Sequence, residues 1–177
     1  YLCLGAVVFF GGTVGINGAT HIVLPNTSIQ AKINAAVAGD TIIVKAGTYA
    51  GEALTIDNKV LDIRPEDGGT VIITEGGTLR NLTTPMNLAN FRIGGATDRD
   101  LTIFNCNKVY LDSLDMQTSG GGLVIDQNST VQVNSCNFGT RLSVDNNSTV
   151  YAHNSLWQTD STITNSKVTF RESTFKN

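Results

Sequence analysis

Four segments of this chain align without gaps: Val109-Tyr-Leu-Asp-Ser-Leu-Asp-Met116, Val131-Gln-Val-Asn-Ser-Cys-Asn-Phe138, Val150-Tyr-Ala-His-Asn-Ser-Leu-Trp157 and Val168-Thr-Phe-Arg-Glu-Ser-Thr-Phe175. Their starts lie 22, 19 and 18 residues apart. Each has Val first, an apolar residue third, Leu, Cys or Ser sixth, and a large apolar residue eighth. An Asn stands two or three residues ahead of each segment: Asn107, Asn128, Asn147 and Asn165. A strand-turn unit of about 20 residues is too small to bury its apolar side alone, so units of this period stack into a solenoid. Equivalent residues then form columns about 4.8 Å apart per coil. A β-sandwich of hairpins expects two-residue turns and antiparallel pairing, which fixed-position repetition does not suggest. The upstream Asn residues are expected to form one column that tightens a turn.

Ahead of the repeats, Ser28 to Gly39 carries apolar Ile29, Ile33, Ala36 and Val37 on one helical face. Asn26, Thr27 or Ser28 can cap its start, and Gly39 can end it in the left-handed conformation. So short a helix must pack on something to persist. The β-branched run Thr41 to Val44 predicts a strand and Ala46-Gly47 a turn. Short strands separated by Gly, Asn or Asp follow, among them Val60 to Ile63, Val71 to Thr74, Leu101 to Phe104 and Leu123 to Ile125.

Composition agrees with an extracellular all-β protein. Charged residues make up 15% of the 177 residues and hydrophobic residues 41%, against about 25% charged in an average domain. Twelve basic and 15 acidic residues give a net charge of −3, which excludes a general nucleic-acid binder. Residues 2 to 16 are uncharged, about the length of a signal-peptide core and short for a membrane span. Residues 1–19 are therefore expected to be a truncated signal peptide and 20–177 a solenoid domain lacking its C-terminal coils, with no membrane span after signal removal. Cys106 and Cys136 fall at different points of the repeat, without metal-site spacing. They are expected to be small buried residues, and neither a metal nor a cofactor is expected.

Ser28-Ile-Gln, Ile33-Asn-Ala-Ala, Gly39-Asp-Thr-Ile-Ile-Val and Gly47-Thr-Tyr49 resemble the amino-terminal cap and first coil of right-handed parallel β-helix proteins of the pectin-lyase-like superfamily. The resemblance covers residues 28–49, and the repeats extend it to residue 175. It implies an all-β fold: a right-handed parallel β-helix with a short N-terminal capping helix over its open end. It does not imply an activity, because that superfamily holds lyases, hydrolases, epimerases and adhesins. Its polygalacturonase-like and pectate-lyase-like catalytic motifs are absent from this sequence, and no catalytic residue is assigned.

The repeat also sets geometry. Positions 1 and 3 of each segment point inward, so positions 2 and 4 point outward. Position 2 aligns Tyr110, Gln132, Tyr151 and Thr169; position 4 aligns Asp112, Asn134, His153 and Arg171. Aromatic faces and planar polar groups suit sugars, so Tyr110, Asp112, Tyr151, His153 and Arg171 form a candidate ligand-binding strip. The plain alternative is a solvated sheet face. The strip needs exposed rings, and it needs His153 and Arg171 not to be fully paired with acids such as Glu172. Asp112 and Asp115 are the nearby acids, but their different repeat positions argue against a paired-carboxylate cleft.

Three functions follow as expectations. The first is a secreted or surface-displayed module with a structural or adhesive role, binding polysaccharide or cell-surface glycan. The second is the N-terminal part of a polysaccharide lyase or glycoside hydrolase. The third is an ice-binding solenoid, for which only Thr162-Ile-Thr164 offers a Thr pair. Val109, Val131, Val150 and Val168 are expected to stack and be buried. Met116, Phe138, Trp157 and Phe175 should make a second buried or half-buried column, and the C-terminal coil should present an uncovered edge.

Overall fold

Alternation of apolar and polar residues over four or five positions, punctuated by Asn and Ser, produces short strands that turn a corner after every few residues. In the computed structural model, which describes residues 18–94, 100–116, 122–139, 141–157 and 160–175, these strands coil into a parallel β-solenoid of about seven turns. Among the described residues the strands form three parallel sheets of eight, seven and six strands. One coil shows the pattern. Val109–Asp112 lies in the eight-stranded sheet, Asp115–Met116 in the seven-stranded sheet and Leu123–Asp126 in the six-stranded sheet, and Thr130–Asn134 then begins the next coil beside Val109–Asp112.

The expected register holds at every repeat. Val109 pairs with Val131, Val131 with Val150 and Val150 with Val168. Met116, Phe138, Trp157 and Phe175 form the second column, in which the Phe138 and Trp157 rings stack with centroids 4.3 Å apart. Val109, Val131, Val150, Met116, Phe138 and Trp157 are buried, but Val168 is only partly buried and Phe175 is 46% exposed. The difference is positional: an inward side chain needs a coil on both sides, and Val168 and Phe175 lie in the last described coil.

Two corners carry the turns. At the corner entering the eight-stranded sheet, Asn58, Asn81, Asn105, Gln127, Asn146 and Asn165 adopt positive φ. At the corner leaving it, Asn90, Ser113, Ser135, Asn154 and Glu172 do the same. Asn tolerates this conformation because its short amide bonds locally. Asn128 and Asn147 adopt it too, so of the expected column Asn128, Asn147 and Asn165 stand at this corner with positive φ and Asn107 does not. Asn81 Nδ2 donates to Asp57 Oδ1 at 2.8 Å and Asn105 Nδ2 to Asn81 Oδ1 at 2.9 Å. Asn147 Nδ2 donates to Asn128 Oδ1 at 3.0 Å. Asn107 instead donates to the Thr83 carbonyl.

The helix, Ile29–Ala35, buries Ile29 and Ile33, and Ser28 caps it by accepting the Ala31 N–H. It ends at Ala36, whose backbone is extended, so Gly39 does not terminate it and Val37 is 66% exposed instead of sharing the apolar face. Lys59 ends the helix: its ammonium donates to the carbonyls of Ile33 and Ala36. Gln30 completes the cap. Its side-chain amide accepts the Thr55 N–H at 2.7 Å and donates to the Thr55 carbonyl at 3.0 Å, as a neighbouring strand would. The free edge of Leu54–Asp57 is thus paired without a strand. Residues 1–17, where most of the expected signal peptide falls, lie outside the described residues.

Candidate functional site

Parallel pairing without slip turns sequence spacing into surface columns. On the outward face of the eight-stranded sheet, Tyr110, Gln132, Tyr151 and Thr169 lie in one column. Asp112, Asn134, His153 and Arg171 lie in the next. All five candidate strip residues therefore share one face. Asp115 does not: it sits in the seven-stranded sheet, 3.0 Å from the Arg92 guanidinium, so Asp112 and Asp115 form no common cleft.

The face is not uniform. A depression of about 280 Å³ lies between the two columns over the last three described coils. Gln132, Tyr151 and Thr169 form one wall, and Asn134, His153 and Arg171 form the other. Tyr151 is 43% exposed. Its neighbours are small or flat: Ala152 points inward between Tyr151 and His153, and Thr169 replaces a long side chain one coil on. Tyr110 is different. The Lys108 ammonium stands 5.2 Å from its ring centroid, a cation–π contact that occupies a ring face. Tyr110 and Asp112 share the columns but not the depression, and Ser113 Oγ donates to Asp112 Oδ1 at 3.0 Å. The strip thus contracts to Tyr151, His153 and Arg171, with Gln132, Asn134 and Thr169 added.

The requirement that His153 and Arg171 stay clear of local acids is met only in part. Glu172 holds His153 Nε2 at 3.0 Å from its Oε2, and its Oε1 lies 3.8 Å from Arg171 Nε. Glu172 reaches both because it occupies the positive-φ corner directly after Arg171. The Arg171 side chain remains 79% exposed, against 48% for His153. One imidazole nitrogen is committed, while the guanidinium still faces solvent.

A further column was not legible in the spacing. On the six-stranded sheet, register places Thr55, Thr78, Thr102, Val124, Ser143 and Thr162 in one outward line. The adjacent column holds the Asp57–Arg80 ion pair, then Phe104 and Asp126, so a double rank of Thr does not form there.

Burial pushes the Cys136 thiol up to about 12 and raises that of Cys106, and both cysteines are free. A buried, protonated thiol is a poor nucleophile. Among the described residues no group of His, Cys, Asp and Glu is placed to hold a metal ion, and no helix is long and apolar enough to cross a membrane. No protein-family model, curated protein or solved structure matches the chain.

Proposed function

We propose that this chain is a secreted or surface-displayed β-solenoid module that binds polysaccharide on the outward face of its eight-stranded sheet. The observation that carries the reading is the depression around Tyr151, where an accessible ring lies among two amides, a hydroxyl, an imidazole and a guanidinium. An aromatic face stacks on the C–H face of a pyranose, and planar polar groups bond its hydroxyls. A rigid parallel sheet holds these groups without a loop to order on binding, which favours affinity. A pectin-lyase-like origin, suggested by the cap motif, is compatible with this reading.

The test is affinity electrophoresis of the full chain against a panel of soluble plant, fungal and bacterial polysaccharides. Retardation by at least one of them, lost in Tyr151→Ala, supports the proposal. Retardation by none refutes it. Assaying each retained polysaccharide for new reducing ends and for ultraviolet-absorbing unsaturated products separates a binding module from a cleaving enzyme.

A further inference from the structure

The depression has a direction and a length, and both follow from register. Its walls are the two outward columns, so it runs along the solenoid axis and not along the strands. Gln132 and Asn134 mark one end, Thr169 and Arg171 the other, with Tyr151 and His153 midway. The ends are two coil steps apart, about 9.6 Å. That is about the length of two linked pyranoses. A sugar lying crosswise would meet only one coil and leave both ends unused.

Charge narrows the ligand further. Glu172 sets one negative charge against the Arg171 guanidinium and takes His153 Nε2 as its second partner. One carboxylate thus faces both side chains of the depression that can carry positive charge. The opposite end is closed by two uncharged amides, and Asp112 lies one coil beyond them. Lys167, on the same strand as Arg171, is the next charge at the far end. Lys167 is not among the lining residues, and Glu172 contacts both side chains of the lining that can carry positive charge, while amides, hydroxyl and guanidinium offer donors and acceptors to hydroxyls.

Resting on the polysaccharide-binding reading above, we infer that the site takes two consecutive residues of a neutral, unbranched glycan, laid lengthwise along the solenoid axis with Tyr151 beneath them. The ligand meets successive coils as successive sugars. Gln132 and Asn134 bond the hydroxyls of one sugar, and Thr169 and Arg171 those of the other. Glu172 is a positioning residue that orients Arg171 and His153 and sets a negative charge against anions.

The experiment is calorimetric titration of the full chain with β-1,4-linked glucose, mannose and galactose oligosaccharides of one to four residues. Oligogalacturonates of the same lengths serve as the acidic comparison. Affinity should rise at least tenfold from the mono- to the disaccharide of one neutral series, then change little. Gln132→Ala and Thr169→Ala, at opposite ends, should each weaken that disaccharide about three- to tenfold, the loss expected of one hydrogen bond, without altering the thermal midpoint. Glu172→Gln should strengthen oligogalacturonate binding. Tighter binding of oligogalacturonates than of every neutral series by the wild type overturns the inference. So does a loss confined to Tyr151→Ala, with Gln132→Ala and Thr169→Ala silent. Either result leaves polysaccharide binding itself standing. Failure of every oligosaccharide, in a chain that polysaccharides retard, overturns the inference alone, whereas failure of both refutes the two together.

Discussion

Ser155 Oγ accepts the backbone N–H of Cys136 at 3.2 Å across the gap between two coils and donates to the His153 carbonyl at 2.9 Å within its own coil. The same exchange repeats along two lines inside the solenoid. At one corner Ser129, Ser148 and Ser166 accept from Cys106, Ser129 and Ser148. At the other, Cys136, Ser155 and Ser173 accept from Leu114, Cys136 and Ser155. These six corner N–H groups are each satisfied by a small side chain of the next coil. In the last three repeats the sixth position, Cys136, Ser155 and Ser173, is Cys or Ser for that reason.

Serine and cysteine should therefore be interchangeable along these lines, and alanine should not. Cys106→Ser and Cys136→Ser are expected to leave the urea midpoint within the equivalent of about 1 kcal/mol. Ser129→Ala leaves the buried Cys106 N–H without an acceptor, at a cost of about 1–3 kcal/mol. Urea denaturation of the three variants checks this. An Ala variant as stable as the Ser variants would show that the lines do not hold the corners.

The thiols supply an independent probe of the same interior. Cys136 is 2% exposed, and burial holds its thiol protonated, pushed up to about 12. Only thiolate reacts with disulfide reagents. At pH 8 the native chain should resist Ellman's reagent at Cys106 and Cys136 for as long as it stays folded. Both should label at once in denaturant. Rapid native labelling at either position would contradict the packing described.

Much of this fold was legible because its columns repeat. The four Val positions announce their register, since an inward residue that recurs at each coil must stack on its equivalents. The corner Asn ladder was readable only as a tendency: the residues with positive φ include Gln127, Ser113 and Glu172, which no composition rule singles out. The Lys59 and Gln30 caps were invisible, because their partners are backbone groups 23 to 26 residues away. At the candidate site, the columns followed from spacing. The contraction to Tyr151 did not, since it depends on where the Lys108 and Glu172 side chains rest.

Gly122 tests how closely the coils approach. A Cβ built there would lie 2.5 Å from the Arg141 carbonyl oxygen and 2.6 Å from its Cβ. The obstacle is backbone and cannot swing away. The bare glycine also lies between Asp100, whose Oδ1 takes the Gly122 N–H at 2.8 Å, and Arg141, which ion-pairs with Asp100 from two coils on. Gly122→Ala is expected to destabilise the chain by about 1–3 kcal/mol, read as a lower thermal midpoint. An unchanged midpoint would mean that the coil spacing here is wider than described.

Acid should loosen the amino-terminal end first. Asp40 is 3% exposed and receives the Ala19 N–H at 2.7 Å, His21 Nε2 at 2.9 Å and the Val37 N–H at 2.9 Å. These bonds, led by that from His21, hold its carboxyl below the ordinary aspartate value of 3.8. Asp57 is lowered too, chiefly by the Asn81 amide and then by Arg80. A carboxyl whose folded pKa lies below its unfolded one stabilises the fold fully above the unfolded value, and loses that contribution as pH falls through the folded value. The urea midpoint should thus be level above about pH 5 and fall below pH 4. Asp40→Asn should lower the midpoint at pH 7, because a neutral amide replaces the carboxylate that three donors address, and it should flatten the acid limb. A variant whose midpoint still falls as steeply as the wild type between pH 4 and pH 2 would place the acid sensitivity elsewhere in the coil stack.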